Sequence, residues 1–416
     1  MAVATELAIN GGPRVRTEGF PGRGHFGIEE KRAVDVLFDA AIQTGNAIGY
    51  GGEQEDAYCR EFADMLGGGF ADGVSSGTAS VYVALRSLDL EPFTEVVVSP
   101  ITDPGGMMPI TMLNCIPVPA DCAPGSFNIG PEQVEAAITP YTSAILVAHI
   151  GGVAADIEGI MAVAKKHGLP VVEDCSQAHY AKINDRLVGT FGDVAAFSTM
   201  FGKHHCTGGQ GGIVFTKNEK IYQKIRWASD RGKPFGLPAG STNCLATLNY
   251  NMDEIAAAIG RVQLSKLPQI VARRREIVSK LNQSFGRMKS VIIPEELPGA
   301  ESSYWWQRLG LDTSKLLCSK DEFCRALGAE GIPVVARYAA LPHTYDWFKN
   351  RRVFGSSGYP WSSPDYKGDA KKEFPCPNAH AALEDYFLLS INEGWGEKEI
   401  ADTVEAFMKV ESAYLK

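Results

Sequence analysis

Lys203 stands in the stretch Ala196-Phe197-Ser198-Thr199-Met200-Phe201-Gly202-Lys203-His204-His205-Cys206-Thr207-Gly208-Gly209-Gln210-Gly211-Gly212. A lysine attacks a carbonyl only as the neutral amine, and surroundings poor in other charge favour that form. The other ionisable residues of this window are two histidines and one cysteine. Upstream, Asp174 closes the apolar run Val171-Val172-Glu173-Asp174, and Ser75-Ser76-Gly77-Thr78-Ala79-Ser80 leads into a helix-like segment. Small residues opening a helix leave backbone N–H groups free, and the helix dipole favours an anion there. A lysine for an aldehyde, an acid for a ring nitrogen and donors for a phosphate are the requirements of pyridoxal phosphate. The three residue types occur in chain order, so the residues point to a Schiff-base cofactor site.

Each feature alone has a plainer reading. Ser76 is an ordinary helix cap, Asp174 caps whatever follows it, and Lys203 is a loop lysine at the surface. The glycine cluster 208–212 is equally a hairpin turn before the apolar run 213–215. Glu173 rivals Asp174, but alternation along a strand sends the two side chains to opposite faces, so only one faces a site. His179 and the pair His204-His205 lack paired Cys/His or His-x-x-x-His spacing, and no metal site is expected. His179 is read as orienting a neighbouring polar group or bordering the cofactor.

The elements that must position these residues alternate. Apolar runs at 95–99, 144–148, 170–173 and 213–216 read as buried strands. Between them, 130–138 reads as a helix with proline in its first turn. Asp156 caps a second helix over 157–167, which Gly168 stops. A further helix is expected over 81–88, after the small residues. Strands alternating with helices predict a mostly parallel sheet covered on both faces. From Asp253 to about Phe285 the apolar spacing becomes that of a long helix, with Pro268 expected to kink or divide it. Mixed strand-like and helical segments follow around 304–311, 320–327 and 332–338, and 354–373 reads as a surface loop. The expected organisation is an α/β domain over 1–265 and a smaller α+β domain over 266–416.

With 416 residues, 45% of them hydrophobic and 21% charged, the chain has the composition of an ordinary globular protein. Its net charge of −9 and pI near 5.5 argue against a nucleic-acid binder. No uncharged run reaches bilayer length, and the first residues lack a secretion-signal pattern. Nine scattered cysteines without a Cys-x-x-Cys pair suggest reduced thiols, hence a cytoplasmic location and no membrane association.

Assembled, these residues resemble the DegT/DnrJ/EryC1/StrS family of pyridoxal-phosphate sugar aminotransferases nearly end to end. The resemblance runs from Leu7-Ala8-Ile9-Asn10-Gly11-Gly12-Pro13 through Ser76-Gly77-Thr78-Ala79 and His149-Ile150-Gly151-Gly152-Val153-Ala154-Ala155-Asp156. It continues in Glu173-Asp174-Cys175-Ser176-Gln177-Ala178-His179, Gly192-Asp193-Val194-Ala195-Ala196-Phe197-Ser198, Gly211-Gly212, Asn249-Tyr250-Asn251-Met252-Asp253-Glu254, Ala257-Ala258-Ile259-Gly260-x-x-Gln263-Leu264 and Arg273-Arg274-Arg275. It implies a fold-type-I transferase, built as a homodimer with shared sites. On that basis Lys203 holds the cofactor and shuttles the proton, Asp174 pairs with the ring nitrogen, and Gln177 lies near the phenolic oxygen. Gly77, Thr78 and Ser198 hold the phosphate, helped by Asn249 of the partner subunit. Glutamate or glutamine donates the amino group, and the pyridoxamine form aminates a nucleotide-linked keto-sugar or a keto-cyclitol.

Three positions depart from the family pattern. Asp103 stands where an aromatic usually stacks on the ring, and a carboxylate cannot stack. Gln210 replaces the glutamate of Gly-Glu-Gly-Gly, with one extra residue after the lysine. Asn251 replaces the arginine of Asn-x-Arg. Two other readings stay open: a sugar dehydratase, in which histidine takes the lysine's place and to which His204 is adjacent, and a cofactor-binding regulatory homologue without turnover. Tyr338 and His343 are candidates to approach the acceptor, while 304–306 reads as core packing.

Overall fold

Seven short apolar strands form the central sheet of the computed structural model, which describes residues 6–416. The five N-terminal residues read above for a secretion signal lie outside them. The strands are β1 (Phe70–Val74), β2 (Glu95–Val98), β3 (Ile116–Pro119), β4 (Thr142–Ala148), β5 (Val171–Asp174), β6 (Val194–Ser198) and β7 (Gly212–Thr216), in the order β1-β7-β6-β5-β4-β2-β3. From β6 to β3 every pairing is parallel. Strand β7 runs antiparallel to both β1 and β6, the one reversal in an otherwise parallel sheet. Alternation supplies both faces: Ile145, Val147, Val171 and Phe197 enter one core, and Ala144, Leu146, Val172 and Val194 enter the other.

The crossover helices carry the expected punctuation. Helix Ile157–His167 starts where the Asp156 carboxylate accepts the Gly159 N–H at 2.9 Å and stops at Gly168, whose φ is +67°. Helix Gly77–Arg86 begins four residues earlier than the apolar periodicity suggests. The cause is local: Ser76 Oγ accepts the Ala79 N–H at 3.1 Å, so Gly77 and Thr78 form the first turn.

Helix Glu254–Phe285 is continuous through Pro268, so the proline does not divide it. Both of its halves are anchored. Leu264, Leu267 and Val271 pack in the core of the large sheet, and Ile277, Val278, Leu281 and Phe285 pack in a second core. That second core lies on a four-stranded antiparallel sheet (Val291–Ile292, Gln307–Leu311, Tyr386–Leu389, Val334–Val335) with helices Lys320–Ala329 and Glu397–Tyr414. The division expected at residue 265 falls inside the long helix. Two segments also cross it: Leu7 is buried in the second core, and Phe348, Trp361 and Tyr366 are buried on the large sheet. The stretch 354–373 has no helix or strand, as read, but is pinned rather than superficial, because the Tyr366 hydroxyl donates to Glu95 Oε1 at 2.7 Å. Among the described residues no helix is long and apolar enough to cross a membrane.

Candidate active site

The carboxyl ends of β4, β5 and β6, the loop after β2 and the first turn of helix Gly77–Arg86 converge on one cavity of about 230 Å³. Ligands of parallel α/β sheets bind at this edge. His149 follows β4, Asp174 ends β5, Ser198 ends β6, and residues 102–106 form the wall after β2.

One end of the cavity is built for an anion. The first N–H groups of a helix have no partner inside it, and here they belong to Gly77 and Thr78. Ser198 closes against them so tightly that a Cβ on Gly77 would lie 2.4 Å from the serine Cβ. A Cβ on Gly105 would lie 2.4 Å from Thr78 Oγ1, so the loop after β2 also seats directly on this turn.

At the other end lies Asp174, 7% exposed, with Oδ1 accepting the Ser176 N–H at 3.0 Å. Burial pushes its carboxyl above the ordinary range, against the Ser176 bonds and the attraction of Lys203. Glu173 points the other way, as alternation requires. It accepts the N–H groups of Gly189, Phe191 and Gly192 and pairs with His149 Nε2 at 3.2 Å. Burial pushes Glu173 up, but His149 and these N–H groups more than offset it and hold the carboxyl low.

Lys203 sits in the connection between the antiparallel β6 and β7, so the hairpin reading of the glycine cluster and the site reading hold together. The Thr199 N–H donates to Gly211 at 2.8 Å and the Phe201 N–H to Gly209 at 3.0 Å, which folds the loop back over the sheet edge. The lysine is 7% exposed, and its Nζ lies 3.8 Å from the centroid of the Trp305 ring. Burial pushes its ammonium down to about 8, with Asp174 and Asp103 opposing.

The sequence profile of the DegT/DnrJ/EryC1/StrS aminotransferase family matches residues 30–364. The chain belongs to this aminotransferase family. Over 98% of both chains it is 29% identical to an L-glutamine:2-deoxy-scyllo-inosose aminotransferase of Micromonospora echinospora. It is 31% identical, over 67% of this chain and 66% of the relative, to a putative L-glutamine:3-amino-2,3-dideoxy-scyllo-inosose aminotransferase of Streptomyces kanamyceticus. The crystal structure of an aminotransferase from Psychrobacter cryohalolentis superposes with a TM-score of 0.84 at 26% identity, covering 95% of this chain and 99% of that one.

Of the site residues expected in this DegT-family chain, Gly77, Thr78, Asp103, Asp174, Gln177, Ser198 and Lys203 line the one cavity. Asn249 does not: it is exposed outside the cavity, its Oδ1 accepting from the backbone and side chain of Asn251 at 3.0 and 2.8 Å. Gln177 is fixed at both ends, accepting the Gly151 N–H at 2.9 Å and donating to the Tyr338 hydroxyl at 2.9 Å. Tyr338 therefore reaches the site through Gln177. His343 is buried against Phe348, away from the cavity. Asp103 is exposed at the rim, where its Oδ1 accepts the Gly105 N–H at 2.8 Å.

His179 lies behind the lysine loop and outside the cavity lining, its Nδ1 3.0 Å from His205 Nδ1, while His205 Nε2 meets the Tyr58 hydroxyl at 2.6 Å. Burial pushes His205 down to about 3 and His179 and His204 well below the usual range, so this layer is neutral packing. His149, Glu173 and Cys175 cluster closely enough to suggest a metal. Both ring nitrogens of His149 are already engaged, however, with Glu173 and with the Ala155 N–H at 3.0 Å. Residue types had not singled out His149 or Trp305. The position of His149 just after a predicted strand was the available signal for the first; the second lay in the stretch 304–306 read as core packing, whereas its ring covers Lys203 Nζ.

Proposed function

We propose that this aminotransferase moves the amino group of glutamine or glutamate to a keto-cyclitol or a nucleotide-linked keto-sugar, using pyridoxal phosphate carried on Lys203. The observation that supports it most is one cavity lined by a buried amine, a buried carboxylate and a helix N-terminus. The donor set fits the cofactor. Gly77, Thr78 and Ser198 would hold the phosphate, Asp174 would face the ring nitrogen, and Gln177 would hold the phenolic oxygen. When bound, pyridoxal phosphate supplies the electron sink for amino-group exchange. With the cofactor bound, Lys203 Nζ, its ammonium pushed down to about 8 by burial, would take the proton from the donor's α-carbon and return it to the cofactor carbon that keeps the amino group. The Trp305 ring over Nζ keeps water from one side of that nitrogen. The cyclitol acceptors named for the two relatives support the acceptor class.

We further propose a cytoplasmic homodimer in which Asn249 completes the partner's phosphate site. Its exposed position supports this, as do exposed Leu248 beside it, exposed Phe201 in the lysine loop and the exposed Ile28, Val36, Phe38 and Ile42 of helix Ile28–Thr44. The nine free cysteines support a reducing compartment. The test is borohydride reduction of the protein loaded with pyridoxal phosphate, followed by peptide mass spectrometry. Label on the Lys203 peptide, conversion to the pyridoxamine form by L-glutamine, and amination of a keto-inositol are expected. Label elsewhere or on no lysine, or no half-reaction with either donor, sinks the proposal, and ammonia release without an aminated product supports a dehydratase instead.

A further inference from the structure

We propose that Arg23 is a positioning residue for Lys203, clamping the lysine loop through Glu393 and Arg274 against the Trp305 indole. Five segments separated in sequence meet here: those of Arg23, Lys203, Arg274, Trp305 and Glu393. The Arg23 guanidinium donates through Nη1 to the Lys203 carbonyl and through Nη2 to the His204 carbonyl at 2.6 Å, while Nε pairs with Glu393 Oε1 at 2.6 Å. The second oxygen of Glu393 is held by Arg274, with Nε at 2.9 Å and Nη2 at 2.8 Å. Arg274, from the long helix, donates its Nη1 to the carbonyls of Tyr304 at 2.9 Å and Trp305 at 3.1 Å.

The two guanidiniums thus grip the two peptides that bracket the lysine amine. One holds the backbone that carries Lys203. The other holds the backbone that carries Trp305, whose ring lies over Nζ and whose Nε1 donates to the Gly202 carbonyl at 3.0 Å. Glu393 is fully buried and Arg274 nearly so. A buried ion network of this kind adds little net stability, because desolvation offsets the attraction. It does fix geometry, since a planar fork with several donors holds its partners in one arrangement. Among the described residues Arg23 is the hydrogen-bond donor to the Lys203 and His204 carbonyls, and it comes from a segment outside every named helix and strand.

The clamp keeps Nζ against a dry wall, so loosening it admits water to the amine. The charged or titratable groups facing that amine are Asp174, Asp103 and the neutral His179. None of them is removed by substituting Arg23. The consequence for transamination rests on Lys203 being the reacting lysine, whereas the test does not.

The experiment is competitive acetic anhydride labelling of the cofactor-free full chain across pH, with the Lys203 peptide read by mass spectrometry. The wild-type lysine is expected to half-titrate near 8. Arg23→Ala is expected to move that midpoint upward by at least about one pH unit, toward an ordinary lysine. The control is Arg16→Ala, which removes the same segment's other anchor, the pairs with Glu399 at 2.9 Å and Asp402 at 2.7 Å, without touching the loop. It should leave the midpoint in place. An unmoved midpoint in Arg23→Ala, or an equal shift in Arg16→Ala, overturns the proposal. If Arg23→Ala does not fold, Arg23→Lys is read by the same criteria, because it keeps the charge but not the fork. Since no cofactor is present, a failure here is separate from a failure of Lys203 to bind pyridoxal phosphate.

Discussion

Replacing Lys203 by methionine should stabilise the cofactor-free protein at neutral pH, although it removes the residue on which activity is proposed to depend. An unfolded lysine titrates at 10.5 and the folded Lys203 near 8. At one pKa unit per 1.36 kcal/mol, holding the ammonium in that setting costs about 3 kcal/mol. Below pH 8 the lysine is charged in both states, so the whole cost falls on the folded protein. Between pH 8 and 10.5 the folded form releases its proton first and the cost shrinks. Above 10.5 it is gone. Methionine is close in length, carries no charge and keeps a sulfur contact with the Trp305 ring. Lys203→Met should therefore exceed the parent by about 3 kcal/mol at pH 7, with the gap closing as pH rises through this window. Over 416 residues, at roughly 2.1 cal/mol/K of unfolding entropy each, that is about 3–4 °C in Tm. Differential scanning calorimetry of both chains, stripped of cofactor because a ligand adds stability of its own, reads the gap directly. The buried thiols and tyrosines ionise in both chains and cancel in the difference. A gap that is absent at pH 7, or that stays constant from pH 7 to 10, refutes the assignment of Lys203 as a desolvated amine.

Three further substitutions probe the cavity. Gly77→Ala puts a methyl 2.4 Å from the Ser198 Cβ, so pyridoxal phosphate affinity, measured by absorbance titration, should fall at least roughly tenfold, with about 1–3 kcal/mol lost in stability from overpacking. Asp174→Asn should lower kcat roughly 10- to 100-fold, the about 1.5–3 kcal/mol of a charge-assisted hydrogen bond, with Lys203 still labelled by borohydride. Asp103→Asn keeps an oxygen for the Gly105 N–H but removes a negative charge beside the phosphate turn; affinity for the cofactor should rise roughly 3- to 10-fold, about 1 kcal/mol for a partly exposed charge, and an unchanged or weaker affinity would show that Asp103 does not face the anion.

What the sequence revealed was local or periodic. Asp156 and Gly168 mark helix ends by their own chemistry, and the two-residue period of a strand says that only one of Glu173 and Asp174 faces the site, the strand end favouring Asp174. The start of helix Gly77–Arg86 was misread because hydrophobic spacing begins only at Val81, while the helix is started by a serine side chain. The continuity through Pro268 was misread for the opposite reason. A local rule about proline yields to two distant cores that each bury one half of the helix. The Pro/Gly/Ser composition of 354–373 signalled irregular backbone correctly but could not show that Trp361 and Tyr366 are buried. Least legible were Arg23, Trp305 and Glu393. Arg23 and Trp305 touch the lysine loop across a hundred residues or more, and Glu393 reaches it only through Arg23; no spacing rule reaches that far.

The charge inside the cavity sets what else the reaction requires. Among the described residues its charged lining is Asp103, Asp174 and Lys203, a balance of one negative charge that becomes two as the lysine loses its proton. A phosphate dianion and the carboxylate of an amino-acid donor would add three more, offset by one where the ring nitrogen facing Asp174 is protonated. Against them this chain offers a helix N-terminus equivalent to about half a positive charge and the neutral donors of Thr78 and Ser198. Asn251, at the position where the family pattern has arginine, contributes no cation. Two anionic groups in so small a space need positive charge or further donors from beyond this chain's own cavity wall, as the proposed homodimer would supply. The same balance disfavours an acceptor that adds more negative charge near Asp103. An uncharged or amine-bearing cyclitol meets that condition more easily than a sugar whose diphosphate lies against this rim.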